Sequence, residues 1–391
     1  MRSSEIRNVS ALTVVLLGAV LLVSANSQKM KVPVIDTADG RSADGQEAIT
    51  FWYTDADDRA FFETCADDFL NKTGIAVNLE EQPSLNYFSE IYEAVKNDTD
   101  MPDAYLLEAD ELEKAHLCQL TEPLQAENEY TQSVLPQAVD AGMKNGKLYG
   151  YPLYGNTVIF AYRTDYFETP PKSVQEMLDY SVEHEPGEGV EKLLEWNLAD
   201  GFYNYPFFGA AVDFKQDEAG TMTVTYQEET KAACTDFFAN LTAVIALDEN
   251  TIGRKSVVDD FQNGKTVAVF ADSDDIGKLT GASMQIGTLP ALKEDLPMVP
   301  AAKTTLLCVN GMSEEKERAA EFAEFVVTQE MGHLTELTDH VPVSEDALSS
   351  EEQSVAYRQY EQAKAKPDAL NATDFWVKFQ NEALQIWTDA E

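Results

Sequence analysis

Between Ala48 and Asp110 the chain alternates between two hydrophobic periods, and this alternation restricts the fold more than any other feature. AITFWYT (48–54), IAVNLEEQ (75–82) and PDAYLLEAD (102–110) read as strands. The segments between them carry apolar residues at helical spacing: Phe61, Phe62, Cys65 and Phe69 in the first, and Phe88, Ile91 and Val95 in the second. Gly74 stands where a helix C-cap would. Parallel neighbours need crossover connections, so strand–helix–strand–helix–strand predicts a parallel sheet with helices on its faces. Such sheets bind ligands beyond the carboxyl ends of their strands. Here those ends are Trp52–Asp55, Gln82–Asn86 and Leu107–Asp110. Trp52 and Tyr53 alternate, so one is expected in the core and the other toward a ligand. None of the three ends carries GxGxxG or GxxxxGK[ST], so nucleotide binding has no support.

A chain of 391 residues exceeds one average domain and predicts two lobes. NGKLYGYPLYGNTVIFAYRTDYF (Asn145–Phe167) supplies the join. It is extended in character, yet Tyr149, Tyr151, Tyr154 and Asn156 put polar tips where a core strand would use Val, Ile or Leu. A buried amide without a partner is costly. The segment is therefore expected to leave one lobe, line a cleft and enter the other. Beyond it, Pro170–Ser173 precedes a helix from about Val174. Trp196–Val212 reads as a strand that turns helical around Phe207 and Phe208. Helices are expected over Thr230–Ala246, Val258–Gln262 and Glu314–Thr328, and strands over Lys265–Asp272, Met284–Leu292 and Thr304–Gly311. A closing helix carries Phe375, Trp376, Phe379 and Trp387.

At the amino end, Arg2 and Arg7 precede the uncharged apolar run Ala11–Ala25. Fifteen residues fall short of the roughly 20 that span a bilayer. Val23-Ser24-Ala25 resembles an export-peptidase site. Residues 1–25 read as a signal peptide, or alternatively as an uncleaved anchor, and residues 26–47 as a polar tether. Either reading exports the folded body. The first cysteine after residue 25 is Cys65, within a predicted helix, so no lipid-modified cysteine is expected.

With 69 acidic and 28 basic residues the net charge is −41, which repels nucleic acid and anionic lipid and favours a neutral or cationic ligand. The acidic clusters Asp55–Asp58 and Asp272–Asp275 lack the glycine and terminal glutamate of a calcium loop. They read as solvated faces or helix N-termini. His116, His184, His333 and His340 are scattered and no CxxC occurs, so no zinc site and no cofactor are expected. Cys65, Cys118, Cys234 and Cys308 each lie in a partly apolar stretch and read as buried small hydrophobes.

GKLYGYPLYGNTVIFAYRTDYF (146–167) and FQNGKTVAVFAD (261–272) resemble segments of extracellular solute-binding proteins of the maltodextrin-binding type. TGIAVNLE, MPDAYLLEADELEKAHLCQLTEPL and PPKSVQEML fall in the same order, so the resemblance runs from about Ala48 to Trp387. It implies an α/β two-lobe periplasmic-binding-protein fold, each lobe a mainly parallel sheet flanked by helices, with the ligand cleft at the hinge. One lobe would hold 48–154 plus 307–335 and the other 158–301 plus 342–391, with crossings at 155–157, 302–306 and 336–341. The implied function is the substrate-binding component of a carbohydrate ABC importer. A monomer would capture a maltose- or maltodextrin-like oligosaccharide, close, and deliver it to a membrane permease, with no chemistry and no cofactor.

By position in the family pattern, Asp110 matches an acidic ligand and Trp376 a stacking tryptophan. Asp200 and Phe202 stand where the family has glutamate and tyrosine, and Asn156 replaces a glutamate of the hinge strand. Leu107 and Asp274 occupy positions of stacking tryptophans, and this loss suits a shorter or differently linked sugar as well as a linear maltodextrin. The residues' own chemistry adds Asp55, Tyr154 and Tyr203 as cleft candidates. Asp110 reads equally as a helix N-cap, and Trp376 equally as core. Two other classes are compatible with the same residues. Asp55, Asp110, Asp200 and Asp274 with aromatic neighbours would suit a polyamine, through carboxylates and cation–π contacts. A pair of carboxylates would suit an exported glycosidase, although no local catalytic motif is present.

Overall fold

The structure is a computed structural model that describes residues 48–390 apart from 84, 126–128, 218–219 and 249. The expected signal peptide (1–25) and tether (26–47) lie outside the described residues. The three amino-terminal strands form as β1 (Ile49–Tyr53), β2 (Val77–Glu81) and β3 (Ala104–Glu108), and β1 pairs in parallel with both others. The helices Arg59–Thr73 and Tyr87–Asn97 make the crossovers. Gly74 ends the first of them at φ 78°, a left-handed conformation that glycine adopts without strain, and its N–H bonds the Leu70 carbonyl. A two-stranded hairpin, β4 (Met143–Lys144) and β5 (Lys147–Leu148), turns at Asn145-Gly146, both at positive φ.

The hairpin delivers the chain into β6 (Gly150–Arg163), which is buried along almost its whole length. Its partners change halfway. Residues 150–157 pair with β12 (Ala301–Val309), and residues 158–163 pair with β10 (Thr266–Asp272) and β11 (Met284–Gly287), all antiparallel. The sheet order is β2-β1-β3-β12-β6-β10-β7, where β7 is Lys192–Trp196 and runs parallel to β10. Each end of the sheet thus keeps the parallel ladder expected of crossover connections, while β6 and β12 run antiparallel through its centre. Two short strands dock on the join: β13 (Val341–Pro342) on Gly155 and Tyr154, and β14 (Lys364–Ala365) on Ala301 and Ala302.

Both faces of the first half are covered. Phe51 and Tyr53 pack with Phe62, and Phe51 also meets Phe322. Trp52, Tyr105 and Leu107 are buried on the other face. This corrects the expectation that Trp52 or Tyr53 would look out toward a ligand. A sheet with helices on both faces buries both parities of a strand. The Trp52 indole donates to Glu80 Oε2 at 3.0 Å. The core of the second half centres on Trp196, which is fully buried against Phe207, Phe270 and Trp387.

Several expectations shift. The strand placed at the start of Trp196–Val212 instead ends at Trp196, and a short Gly201–Asn204 helix and two 3-10 turns follow. A hairpin, β8 (Val212–Gln216) with β9 (Met222–Tyr226), was not read at all, because only Val212 and Met222 along it are buried apolar anchors. The Glu351–Gln362 helix was also missed. Its exposed face is polar, and its buried face includes Gln353 and Gln359 beside Ala356 and Tyr360. The helix expected over Glu314–Thr328 runs over Lys316–Phe325 and widens into a π-turn at Val326–Glu330. Cys65, Cys234 and Cys308 are buried and free, but Cys118 is exposed. It ends the Leu112–Leu117 helix, where Leu112 and Ala115 take the inward positions and Leu117 points out.

Packing at Gly209 leaves no room for a side chain. A Cβ there would lie 2.0 Å from the Val299 carbonyl oxygen and 2.8 Å from Tyr205. Gly209→Ala is expected to lower stability by about 2–3 kcal/mol, read as a fall in the urea midpoint at constant slope. Gly332, exposed within the Met331–Leu337 helix, has open space around its Cβ position. Gly332→Ala should leave the midpoint unchanged or raise stability by up to about 1 kcal/mol.

Candidate ligand cleft and hinge network

The change of partners along β6 puts Tyr154, Gly155, Asn156 and Thr157 where the two halves of the sheet meet. Carboxylates converge there from both halves. Asp58 comes from the turn after β1, and Asp272 and Asp274 come from the turn after β10. His340, next to β13, sits between them. Its Nε2 is 2.7 Å from Asp58 Oδ1 and its Nδ1 is 3.0 Å from Asp274 Oδ1. Carboxylates only accept, so both ring nitrogens must donate and the ring is an imidazolium. Burial alone would lower the His340 pKa, but Asp274 and Asp58 hold it well above the ordinary histidine value. The Tyr154 ring stacks on His340, with centroids 3.7 Å apart and planes within 6°, and its hydroxyl donates to Asp58 Oδ2 at 3.2 Å.

The network continues into the second half. Asn156 Nδ2 donates to Asp272 Oδ1 and, at 2.6 Å, to Asp274 Oδ2. Tyr203 Oη donates to Asp272 Oδ2 at 3.2 Å. Arg254 donates from Nε to Asp275 Oδ2 at 2.6 Å, and its Nη1 lies 3.7 Å from Asp272. Burial and the neighbouring Asp274 push the Asp272 pKa up to about 6. Asp274 goes the other way. Burial would raise its pKa, yet the His340 charge holds it below the usual carboxylate range. Expected as solvated faces or helix N-termini, the two acidic clusters do cap 3-10 turns, through Asp55 and Asp272. The solvated-face half of that expectation is corrected for Asp58, Asp272 and Asp275, which are buried in ion pairs.

A small pocket opens beside this network, lined by Glu108, Asp110, Lys303, Thr304 and Lys366. Lys303, on β12, is partly buried, and its Nζ lies 4.5 Å from the centroid of the Phe202 ring. Burial would lower its pKa, but Glu108, Asp272, Asp200 and Asp110 keep the ammonium charged. Lys366 bonds Asp110 Oδ2 at 2.5 Å and stands 5.8 Å over the Trp376 ring. Trp376 is half-buried against Tyr205 and Phe375. Its indole N–H and the Tyr205 hydroxyl are buried without a hydrogen-bond partner among the described residues.

The nine residues singled out from the sequence therefore fall into three places. Tyr154, Asn156, Tyr203 and Asp274 join the hinge network through bonds to protein partners, while the buried Asn156 Oδ1 has no partner among the described residues. Asp110, Phe202 and Trp376 stand around Lys303 and Lys366. Asp200 caps its own short helix, accepting from Phe202 N at 2.9 Å, and its field reaches Lys303. Asp55 is exposed, accepts from Asp57 N, and joins neither group by hydrogen bond. Asp58, His340, Lys303 and Lys366 were not singled out. Asp58 lay inside a cluster read as one unit. The lysines are single cations in an acidic chain, and no local pattern marks them.

A family profile described as bacterial extracellular solute-binding protein matches residues 64–365. A maltooligosaccharide ABC transporter solute-binding lipoprotein of Streptococcus pneumoniae serotype 4 is 20% identical, covering 97% of this chain and 92% of that protein. Among solved structures, a Thermus thermophilus maltotriose-binding protein bound with maltotriose matches at TM-score 0.71 and 19% identity, covering 87% of this chain and 94% of its own. The GacH receptor of Streptomyces glaucescens, solved unliganded and with acarbose, matches at TM-score 0.74 and 17% identity, covering 88% of this chain and 94% of its own. These likenesses establish the two-lobe α/β fold. With the profile spanning most of its length, the chain belongs to the bacterial extracellular solute-binding protein family.

Proposed function

We propose that this chain is the substrate-binding component of a carbohydrate ABC importer. It captures an oligosaccharide of the maltodextrin class between its lobes and presents the closed form to a membrane permease. The observation that carries this reading is the pocket between β3 and β12. Asp110, Lys303 and Lys366 offer fixed acceptors and donors there, and the rings of Phe202 and Trp376 stand against the two lysines. Sugars are bound by that combination, with apolar ring faces against carbon-bound hydrogens and charged groups on hydroxyls. The unmet Trp376 N–H and Tyr205 hydroxyl add two groups that a ligand or water would satisfy. The names of the relatives, which include maltooligosaccharide and maltotriose binders, support the same class.

In this reading the lobes are 48–154 plus 307–335 and 158–301 plus 342–391, and the chain passes between them at 155–157, 302–306 and 336–341. The partner change of β6 between Thr157 and Val158 supports the first crossing. The protein acts outside the cytoplasm as a monomer and performs no chemistry on its ligand. Lys303 weighs against a polyamine, because a fixed ammonium already occupies the field of Glu108, Asp110, Asp200 and Asp272.

Isothermal titration of the full chain with glucose, maltose, maltotriose, maltotetraose and spermidine tests the proposal. One saturable site for a maltooligosaccharide is expected, and Trp376→Ala and Lys303→Met should each weaken it by about tenfold or more, roughly 1.4 kcal/mol. Heat from spermidine with silence from every sugar would overturn the reading.

The hinge network sets a further expectation. His340→Ala would leave Asp58 and Asp274 buried without their cation, at a cost of about 3–5 kcal/mol at pH 7.5. In the wild type the folded-state pKa of His340 lies above its unfolded value. Its contribution is therefore complete below about pH 6.5 and is lost only as pH rises through the higher folded value. In the variant the two carboxylates have raised folded pKa values, so its stability falls as pH rises. The deficit should narrow between pH 7.5 and pH 5, as measured by urea unfolding at both. A deficit that is equal at the two values would show that His340 acts by packing alone.

A further inference from the structure

Asp68, Glu330 and His333 meet on the outer side of the first half, in a group separate from the hinge network and the pocket. Asp68 projects from the Arg59–Thr73 helix. Glu330 closes the π-turn Val326–Glu330, and His333 follows in the Met331–Leu337 helix. One ligand atom from each lies within 4.8 Å of the others. π-turns recur at functional sites because the widened turn re-aims the side chains that follow it.

Two further observations point to a cation there. Glu330 is only 6% exposed, and its Oε2 is buried with no hydrogen-bond partner. A buried carboxylate oxygen without a donor is costly, and a cation would satisfy it. The nearby Lys72 does not do so. Its Nζ donates to Gln329 Oε1 and lies 5.3 Å from the Phe325 ring centroid, and it makes no ion pair with Glu330. The second observation is the orientation of His333. Its Nδ1 lies 3.2 Å from Glu336 Oε2, so that nitrogen carries the proton and donates. This turns Nε2 toward Glu330 Oε2, 3.9 Å away. The ring thus aims a nitrogen at the unpartnered Glu330 oxygen at a separation that leaves room for a shared ion. Glu336 then plays the part of the carboxylate that fixes the tautomer of a metal-bound histidine.

We propose that Asp68, Glu330 and His333 bind one divalent transition-metal ion of the zinc type, clipping the Arg59–Thr73 helix to the Met331–Leu337 helix. One imidazole and two carboxylates form a donor set suited to zinc rather than to calcium or magnesium, which take oxygen alone. The fourth position is left for water. The scattered histidines had argued against any zinc site, but that argument rests on spacing along the chain. Here Asp68 and the Glu330–His333 pair come from distant segments joined by packing.

The test is titration of the metal-stripped full chain with zinc chloride, followed by calorimetry and by the shift in melting temperature. One ion per chain is expected. His333→Ala and Asp68→Asn should each weaken binding at least tenfold, Glu336→Gln should weaken it measurably, and His184→Ala should change nothing. Asp68 is exposed, so its variant tests the site even if a change at Glu330 or His333 impairs folding. Zinc should raise the melting temperature of the wild type but not that of His333→Ala. Absence of zinc binding, or binding unchanged in both His333→Ala and Asp68→Asn, would overturn the proposal and leave His333 held by Glu336 alone.

Discussion

The imidazolium of His340 is the contact on which the geometry of this molecule turns. It is buried, and its two nitrogens are held by carboxylates from opposite halves of the sheet, Asp58 and Asp274. The buried Asp58 carboxylate depends on this cation, and the ring could not stay charged there without its two carboxylates. Tyr154 seals the arrangement by stacking on the ring and bonding Asp58. The crossing strand thereby becomes part of the same unit. A change in the angle between the lobes must strain or rebuild these bonds, so the network biases which lobe arrangements are populated. Hinge closure is governed by such biases, since a ligand can shift the balance only by its differential affinity for the two states.

The same contact shows where sequence reading reached its limit. The alternation from Ala48 to Asp110, the helices behind it and the extended character of Asn145–Phe167 were legible, because period and turn residues are local signals. The oddity of Tyr154 and Asn156 within a strand was legible too. Their partners were not. Asn156 meets Asp272 and Asp274, and Tyr154 meets Asp58, only after the chain has crossed and returned. His340 appeared as one of four scattered histidines, since nothing in its neighbours Asp339 and Val341 separates a solvent histidine from one clamped by two aspartates. The β8–β9 hairpin and the Glu351–Gln362 helix were missed for the opposite reason. They carry so few buried apolar residues that their periodicity is faint, and tertiary contacts such as Tyr360 against Gly155 and Thr304 hold them instead.

Net charge was a poor guide to the cleft. A chain at −41 suggests an acidic site ready for cations. The fold places two lysines, Lys303 and Lys366, within the pocket beside Glu108 and Asp110. Exposed carboxylates elsewhere are screened over about 10 Å at ordinary ionic strength, while groups in a partly dry pocket are not. The local balance therefore decides what can bind, and here it is closer to neutral than the chain as a whole. A neutral polyhydroxylated ligand can exchange hydrogen bonds with fixed charges of both signs, whereas a polyamine would have to displace an ammonium already held in place.

The two lysines also explain how this site can manage with fewer stacking platforms. The sequence resemblance matches Leu107 and Asp274 to positions where stacking tryptophans were expected. Leu107 is buried in the core, and Asp274 is committed to His340 and Asn156. What the pocket offers in exchange are charge-assisted donors on Lys303 and Lys366, each resting over an aromatic ring, Phe202 and Trp376. Hydrogen bonds from a charged donor are roughly twice as strong as neutral ones. In the proposed reading the site therefore rests on polar contacts as much as on ring faces.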